Sequence, residues 1–247
     1  MDSLIANAAS GMRSRMETLD LLANNIANSG TAGYKADQES YNLYFGDNAW
    51  DGYNEGRPSS AEMPVIQRTW TDYSQGNLVP TGSSTDLALT SEGFFVVNGP
   101  NGPFYTRNGH FRLSKTGTLE TQEGYAVKGT DGNPIVLNPD RNFQITRTGE
   151  VQQDGSTIGQ LSIVTSQAPN GEKVGAGYFR FSDPAKMQPA SNADVQQGKI
   201  ETSNVTPAYS AVKLVNVMRS FEMLQKAVGM ASEMSRRVVE EVARVSS

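Results

Sequence analysis

The chain has 247 residues, 37% of them hydrophobic, with a formal net charge of -5 and no cysteine. Lack of cysteine excludes disulfides, thiolate metal sites and thiol nucleophiles, and an acidic balance without a basic block excludes the clustered Lys and Arg that neutralise phosphate backbones. A mean hydropathy of -0.47 is low for a compact enzyme and fits an elongated molecule that leaves much surface to water or to neighbours.

Residues 3 to 28 read as a first helix. Ile5, Ala9, Met12, Met16, Leu19, Ala23 and Ile26 recur at alternating spacings of 4 and 3, the seam of a coiled-coil helix. The same stretch has an acidic second residue and no uninterrupted apolar core, so it does not read as a cleavable secretory signal; no segment reaches the ~18 apolar residues of a membrane helix. The helix is expected to break at "NSGTAGYK", where Gly30 and Gly33 stand at positions suited to φ > 0 and Tyr34 and Lys35 anchor the departing chain. Residues 36 to 64 read as a variable, irregular extended segment whose Tyr41, Leu43, Tyr44, Phe45 and Trp50 suit contact with neighbours or folding back.

From 65 to 200 the pattern changes to short β-runs, among them "VIQRTW", "GFFVVN", "PFYTR", "YAVKG", "PIVL" and "QLSIVTS". Turn dipeptides such as Asn98-Gly99, Asn108-Gly109 and Asp154-Gly155 punctuate them. This spacing predicts an antiparallel meander or barrel-like β-domain, and no βαβ alternation accompanies it.

A second helix is predicted over 207 to 245, with Thr206 as N-cap and Pro207 in the first turn. Leu214, Val217, Phe221, Leu224, Val228, Ala231, Ser235, Val238, Val242 and Val245 repeat the 3 and 4 alternation. At ~1.5 Å per residue the helix spans about 58 Å, more than a small β-domain can cover. The expected fold is therefore α+β: long N- and C-terminal helices packed as a coiled-coil-like stalk, with a mainly antiparallel β-domain inserted between them. Its segments are 1–35, 36–64, 65–200 and 201–247. Neither stripe is buried by one helix alone, which makes Ile5, Met12, Leu19, Ile26, Leu214, Val217, Phe221, Leu224 and Val228 the candidate interface, against the other terminus or against copies of the chain. Isolated helices are marginal in water, so ordering of the ends is expected to accompany assembly.

Catalytic chemistry finds little support. His110 is the lone histidine, placed in a predicted hairpin where packing or surface exposure is the ordinary role, and no "GxSxG" elbow accompanies it. Glu240 and Glu241 lie beside Arg236, Arg237 and Arg244 on the second helix, the pattern of a solvated face with i,i+3 and i,i+4 pairs. "GAGYFR" lacks the third glycine and helix of a dinucleotide site. An enzyme or carbohydrate-binding β-domain would use a pocket of Tyr105, Arg107 and His110; a free-standing adhesin or capping protein is a further alternative. No cofactor and no metal is expected.

Three blocks resemble the flagellar axial proteins, the rod, hook and hook-associated subunits. "SGMRSRMETLDLLANNIANSGTAGYK" (10–35) is similar to the family's N-terminal rod motif, and 74–129, beginning "SQGNLVPTGSSTDLALTSEGFFVVNG", to its core β-region. "GKIETSNVTPAYSAVKLVNVMRSFEMLQKAV" (198–228) is similar to its C-terminal block. The resemblance implies a structural subunit of the basal-body rod, closest to the proximal-rod members, with a distal-rod or hook-type subunit as the alternative. It further implies partners among copies of the chain and other rod and hook subunits, export through the type III apparatus without a cleavable signal, a periplasmic place in the rod, no nucleic acid and no membrane insertion.

Overall fold

Two long helices, one at each end of the sequence, enclose a run of short strands. The computed structural model describes residues 2–45, 62–166, 171–175 and 177–245, with side chains over 7–40, 69–166, 171–175, 177–184, 186–238, 240 and 244. Helix α1 spans Asp2–Ala27 and helix α2 Pro207–Val245, and antiparallel strands fill the interval. The chain divides into two compact units: one of Met1–Ile26, Asp37–Trp70 and Thr206–Ser247, the other of Ala27–Ala36 and Thr71–Val205.

In the first unit α1 and α2 touch. A Cβ on Gly11 would stand 3.4 Å from Leu224 Cδ1, an ordinary contact distance that brings the helices together at a residue without a side chain. The covered side of α1 carries Ala8, Gly11, Ser14, Thr18, Leu22 and Asn25. Small residues there give α2 room to approach. This differs from the seam expected on α1, because the 4 and 3 alternation marks the larger apolar side chains while burial follows the smaller ones about a third of a turn away. On α2 the expected stripe is the covered side as far as Ser235: Val217 and Ala231 are buried, Leu214, Phe221, Leu224 and Val228 half-buried, and Val238 exposed.

The described residues of the 36 to 64 range, 36–45 and 62–64, also differ from the irregular segment expected. Strands β1 (Asp37–Phe45) and β2 (Glu62–Thr71) pair in a two-stranded sheet. Tyr41, Leu43 and Phe45 do alternate in sequence, but polar Asp37, Gln38, Glu39 and Ser40 before them mask the signal, and pairing with β2 supplies what local propensity lacks. Trp50 lies outside the described residues.

The second unit is the β-domain, beginning at 71 rather than 65 and taking in both the break after α1 and residues up to 205. Its largest sheet has the order β13 (Glu172–Lys173), β14 (Tyr178–Arg180), β6 (Gly102–Thr106), β5 (Phe94–Gly99), β12 (Ile163–Thr165), β15 (Gln188–Pro189). The apolar run in β5 is continuous because both its faces are covered. Phe95 and Val97 join Leu87, Leu89, Phe111, Leu119 and Val151 in the main core, while Phe94 and Val96 join Tyr105, Phe179 and Phe181 in a second cluster.

Two polar strands, β10 (Glu150–Gln153) and β11 (Ser156–Gln160), carry no strong β pattern in sequence and form around Asp154-Gly155. Both turn residues have positive φ, 55° and 75°, the geometry a two-residue hairpin requires. "YAVKG" and "PIVL", expected as strands, make only isolated bridges such as Val97 to Val127 and Thr118 to Val136. A turn closed by Gly132 N–H on Gly129 O, and Pro134 without an N–H, keep a ladder from extending there.

Two late strands return to the start of the domain. Strand β16 (Val195–Gln197) pairs with β4 (Leu87–Leu89), and β17 (Lys199–Glu201) pairs with β3 (Leu78–Pro80), setting Glu201 opposite Leu78.

Candidate functional site in the β-domain

The β17 register carries Glu201 into the interior, where its side chain is wholly buried. Lys35, the last residue of "NSGTAGYK", is equally buried and donates from Nζ to Glu201 Oε1 at 2.6 Å and to Ser74 O at 2.7 Å. The Gly76 amide donates to the same carboxylate oxygen at 2.8 Å. Arg107 Nε stands 3.4 Å from Glu201 Oε2, while its Nη1 donates to Ser91 O at 2.8 Å. Two cations and a backbone amide thus converge on one buried carboxylate. Burial pushes Lys35 below its ordinary value, and desolvation outweighs the attraction of Glu201; Arg107 is lowered by the same cause.

The backbone around the cluster is tied as firmly. Gly33 N–H donates to Glu201 O at 2.7 Å, Ala36 N–H to Asn204 Oδ1 at 2.7 Å, and Asp72 N–H to Ala36 O at 2.8 Å. Asn204 Nδ2 donates to Asp72 O at 2.8 Å, so one amide side chain joins the segments before β1 and after β2. Tyr34, Ala36 and Val205 form a small apolar cluster beside it, and Lys173 Nζ sits 4.2 Å from the Tyr34 ring centroid.

Gly33 is confined twice over. Its φ is +66°, and a Cβ would fall 2.3 Å from Arg107 C and Asn108 N. Gly30 differs: its φ is not positive, it is exposed, and a Cβ there would meet open space, so the two constraints on Gly33 are both absent at Gly30. Of the interface candidates on α1, Met12, Leu19 and Ile26 are half-buried, and the Ile5 side chain lies outside the described residues. Those on α2 line its covered side.

The pocket imagined from Tyr105, Arg107 and His110 does not form. The Tyr105 ring packs on Phe181 at 5.1 Å, Arg107 turns to Glu201, and His110 Nδ1 is 2.7 Å from Asp86 Oδ1. A cavity of about 330 Å³ does include Arg107, with Tyr73, Glu92 and Phe94, but neither Tyr105 nor His110. Sequence reasoning missed Glu201 as the partner of Lys35 and Asn204 as that of Ala36. The available signal was a lone carboxylate in "KIETSNV", within a block already singled out.

Comparison with known proteins adds family matches over three regions. Residues 5–35 match the family described as flagella basal body rod protein, 88–153 the flagellar hook protein FlgE/F/G D1 domain, and 196–241 the flagellar basal body rod FlgEFG protein C-terminal region. The flagellar basal-body rod protein FlgF of Caulobacter vibrioides is 28% identical over 248 residues, 100% of both chains. FlgF of Rhizobium meliloti is 30% identical over 224 residues, 87% of each chain. FlgG of Bacillus subtilis is 30% identical over 256 residues, 93% of this chain and 95% of the relative. Lys35, Arg107 and Glu201 come one from each matched region.

Proposed function

Because the chain belongs to the flagellar basal-body rod protein family, a structural subunit of that rod, we propose that it polymerises through its terminal helices into the axial tube that transmits torque. The FlgF-like, proximal place is favoured by the match to FlgF of Caulobacter vibrioides over the whole of both chains. A distal place like that of FlgG is the second reading, supported by the relative from Bacillus subtilis at equal identity to the Rhizobium FlgF.

The observation that carries the proposal is the convergence of all three matched regions on one buried charge cluster. Within the β-domain, Lys35, Glu201 and Asn204 tie together the segments that end at 36, begin at 71 and end at 205. Partners are copies of the chain and other rod and hook subunits, and family membership supports delivery by the type III export apparatus to the periplasmic part of the basal body.

The test is purification of basal bodies from cells carrying an epitope-tagged chain. The chain is expected in the rod fraction, and its deletion is expected to stop rod growth and motility. Its absence from basal bodies while abundant in the cell overturns the proposal.

A further inference from the structure

The cavity of about 330 Å³ beside the second aromatic cluster lies wholly within the β-domain and has the size of a small-ligand site. Buried Phe94 and half-buried Tyr73, edge to face with ring centroids 5.7 Å apart, give it an apolar wall. Thr165 and Ser166 add two hydroxyls that make no hydrogen bond among the described residues. Glu92, exposed, belongs to the same cavity.

Arg107 sets the chemistry. Its side chain is 4% exposed and lines the cavity, yet its charge is only partly matched. Glu201 Oε1 is taken by Lys35 and the Gly76 amide; Oε2, 3.4 Å from Arg107 Nε, accepts no hydrogen bond among the described residues. Arg107 Nη1 is committed to Ser91 O, and Nη2 makes no hydrogen bond among the described residues. A buried cation short of a partner is costly, and the guanidinium fork suits a carboxylate. Glu92 acts electrostatically on Arg107, as Glu201 does. It therefore disfavours a bare anion and suits a ligand that carries an ammonium beside its carboxylate.

We propose that this cavity binds a small zwitterion of the α-amino-acid class. The carboxylate goes to Arg107 Nη2 and the hydroxyls of Thr165 and Ser166, the ammonium towards Glu92, and an apolar side chain onto the rings of Tyr73 and Phe94. Desolvated Arg107 supplies most of the affinity. Glu92, screened by water, contributes selectivity for the amine rather than strength. The rings favour an apolar or aromatic side chain over a polar one. None of these residues is on a terminal helix, and the site does not rest on the rod reading.

The test is calorimetric titration of the full-length chain with L-phenylalanine, with hydrocinnamate, which lacks the ammonium, and with phenethylamine, which lacks the carboxylate. L-phenylalanine is expected to bind saturably. Phenethylamine, without hydrogen bonds to a charged partner at Arg107, is expected to bind at least about tenfold more weakly. Hydrocinnamate is expected to lose only a few-fold, because Glu92 is exposed. Glu92→Gln is expected to act with opposite signs, lowering the affinity for L-phenylalanine and raising that for hydrocinnamate. Ser166→Trp, which fills the cavity from a half-buried position, is expected to abolish binding of both acids. Absence of saturable L-phenylalanine binding to the unsubstituted chain overturns the proposal, and so does phenethylamine binding as tightly as L-phenylalanine. A Glu92→Gln shift of the same sign for both acids, or undiminished binding by Ser166→Trp, overturns the placement. The comparison of probes on the unsubstituted chain decides the matter even where a variant fails to fold. No outcome touches the rod reading, which stands or falls on presence in basal bodies.

Discussion

Lys35 Nζ and Glu201 Oε1 stand 2.6 Å apart although 166 residues separate them in sequence. Neither side chain reaches solvent. The pair joins the segment leaving α1 to the last strand before α2, so both ends of the β-domain are held at one point. Such pairs contribute modestly to net stability, since desolvation offsets attraction, but breaking one by removal of a partner leaves an uncompensated buried charge.

That asymmetry gives the first prediction. Glu201→Ala leaves both Lys35 and Arg107 without their carboxylate and is expected to destabilise the β-domain by about 3–5 kcal/mol. Lys35→Met leaves Glu201 with Arg107 and the Gly76 amide and is expected to cost clearly less. Urea unfolding of the two variants measures the order; a larger loss for Lys35→Met contradicts it.

A pH dependence follows from the lowered Lys35 value. Between that value and the ordinary 10.5, the unfolded chain holds a proton that the folded chain has released, so the Lys35 component of stability rises with pH across this window. Below the folded value both states are protonated and the component is flat. Denaturation midpoints of the unsubstituted chain and of Lys35→Met, compared from neutral pH up towards 10.5, are expected to separate in favour of the unsubstituted chain. Convergence with rising pH would mean that the fold holds the proton more tightly than the unfolded chain does.

The helices and their ends were legible because periodicity, Thr206 and Pro207 are local signals. Strands such as β5 were legible because four apolar residues in a row occur where both sheet faces are covered. The polar hairpin of β10 and β11 was visible only as its turn, since Gln and Thr strands form there by pairing. On α1 the larger apolar residues drew attention to one side while Ala8, Gly11 and Thr18 occupy the covered one. Lys35 stood out through its motif, yet its partner did not, because no spacing rule relates positions 35 and 201. Long-range register, set by β17 against β3, decides that contact.

The boundaries of the β-unit lead to a third prediction. A fragment of residues 65–200 lacks Lys35, Glu201 and Asn204 and leaves Arg107 buried without its carboxylate, whereas 27–205 retains the whole cluster. The longer fragment is expected to unfold cooperatively, and the shorter to be less stable by several kcal/mol, on the order of the 3–5 that a broken buried pair costs. Thermal unfolding followed by circular dichroism distinguishes them. Equal stability would show that the buried cluster adds nothing to the β-domain.

The last prediction separates two glycines of one motif. At Gly33 the left-handed backbone alone costs an ordinary residue about 1–2 kcal/mol, and a Cβ at 2.3 Å from the Arg107 backbone cannot be accommodated by rotating a side chain. Relief requires the 31–36 segment to move away from 107–108, which breaks the Gly33 N–H bond to Glu201 O and disturbs the approach of Lys35 to its carboxylate. Gly33→Ala is therefore expected to destabilise the β-domain by more than the backbone term alone and to abolish motility. Gly30 has neither constraint, and Gly30→Ala removes freedom mainly from the unfolded chain, worth about 0.4–1 kcal/mol of added stability where the conformation is compatible. Urea midpoints and swimming assays of the two strains measure the contrast. A Gly33→Ala strain that swims normally, with unchanged stability, would show that the chain can leave α1 by a path other than the one fixed here.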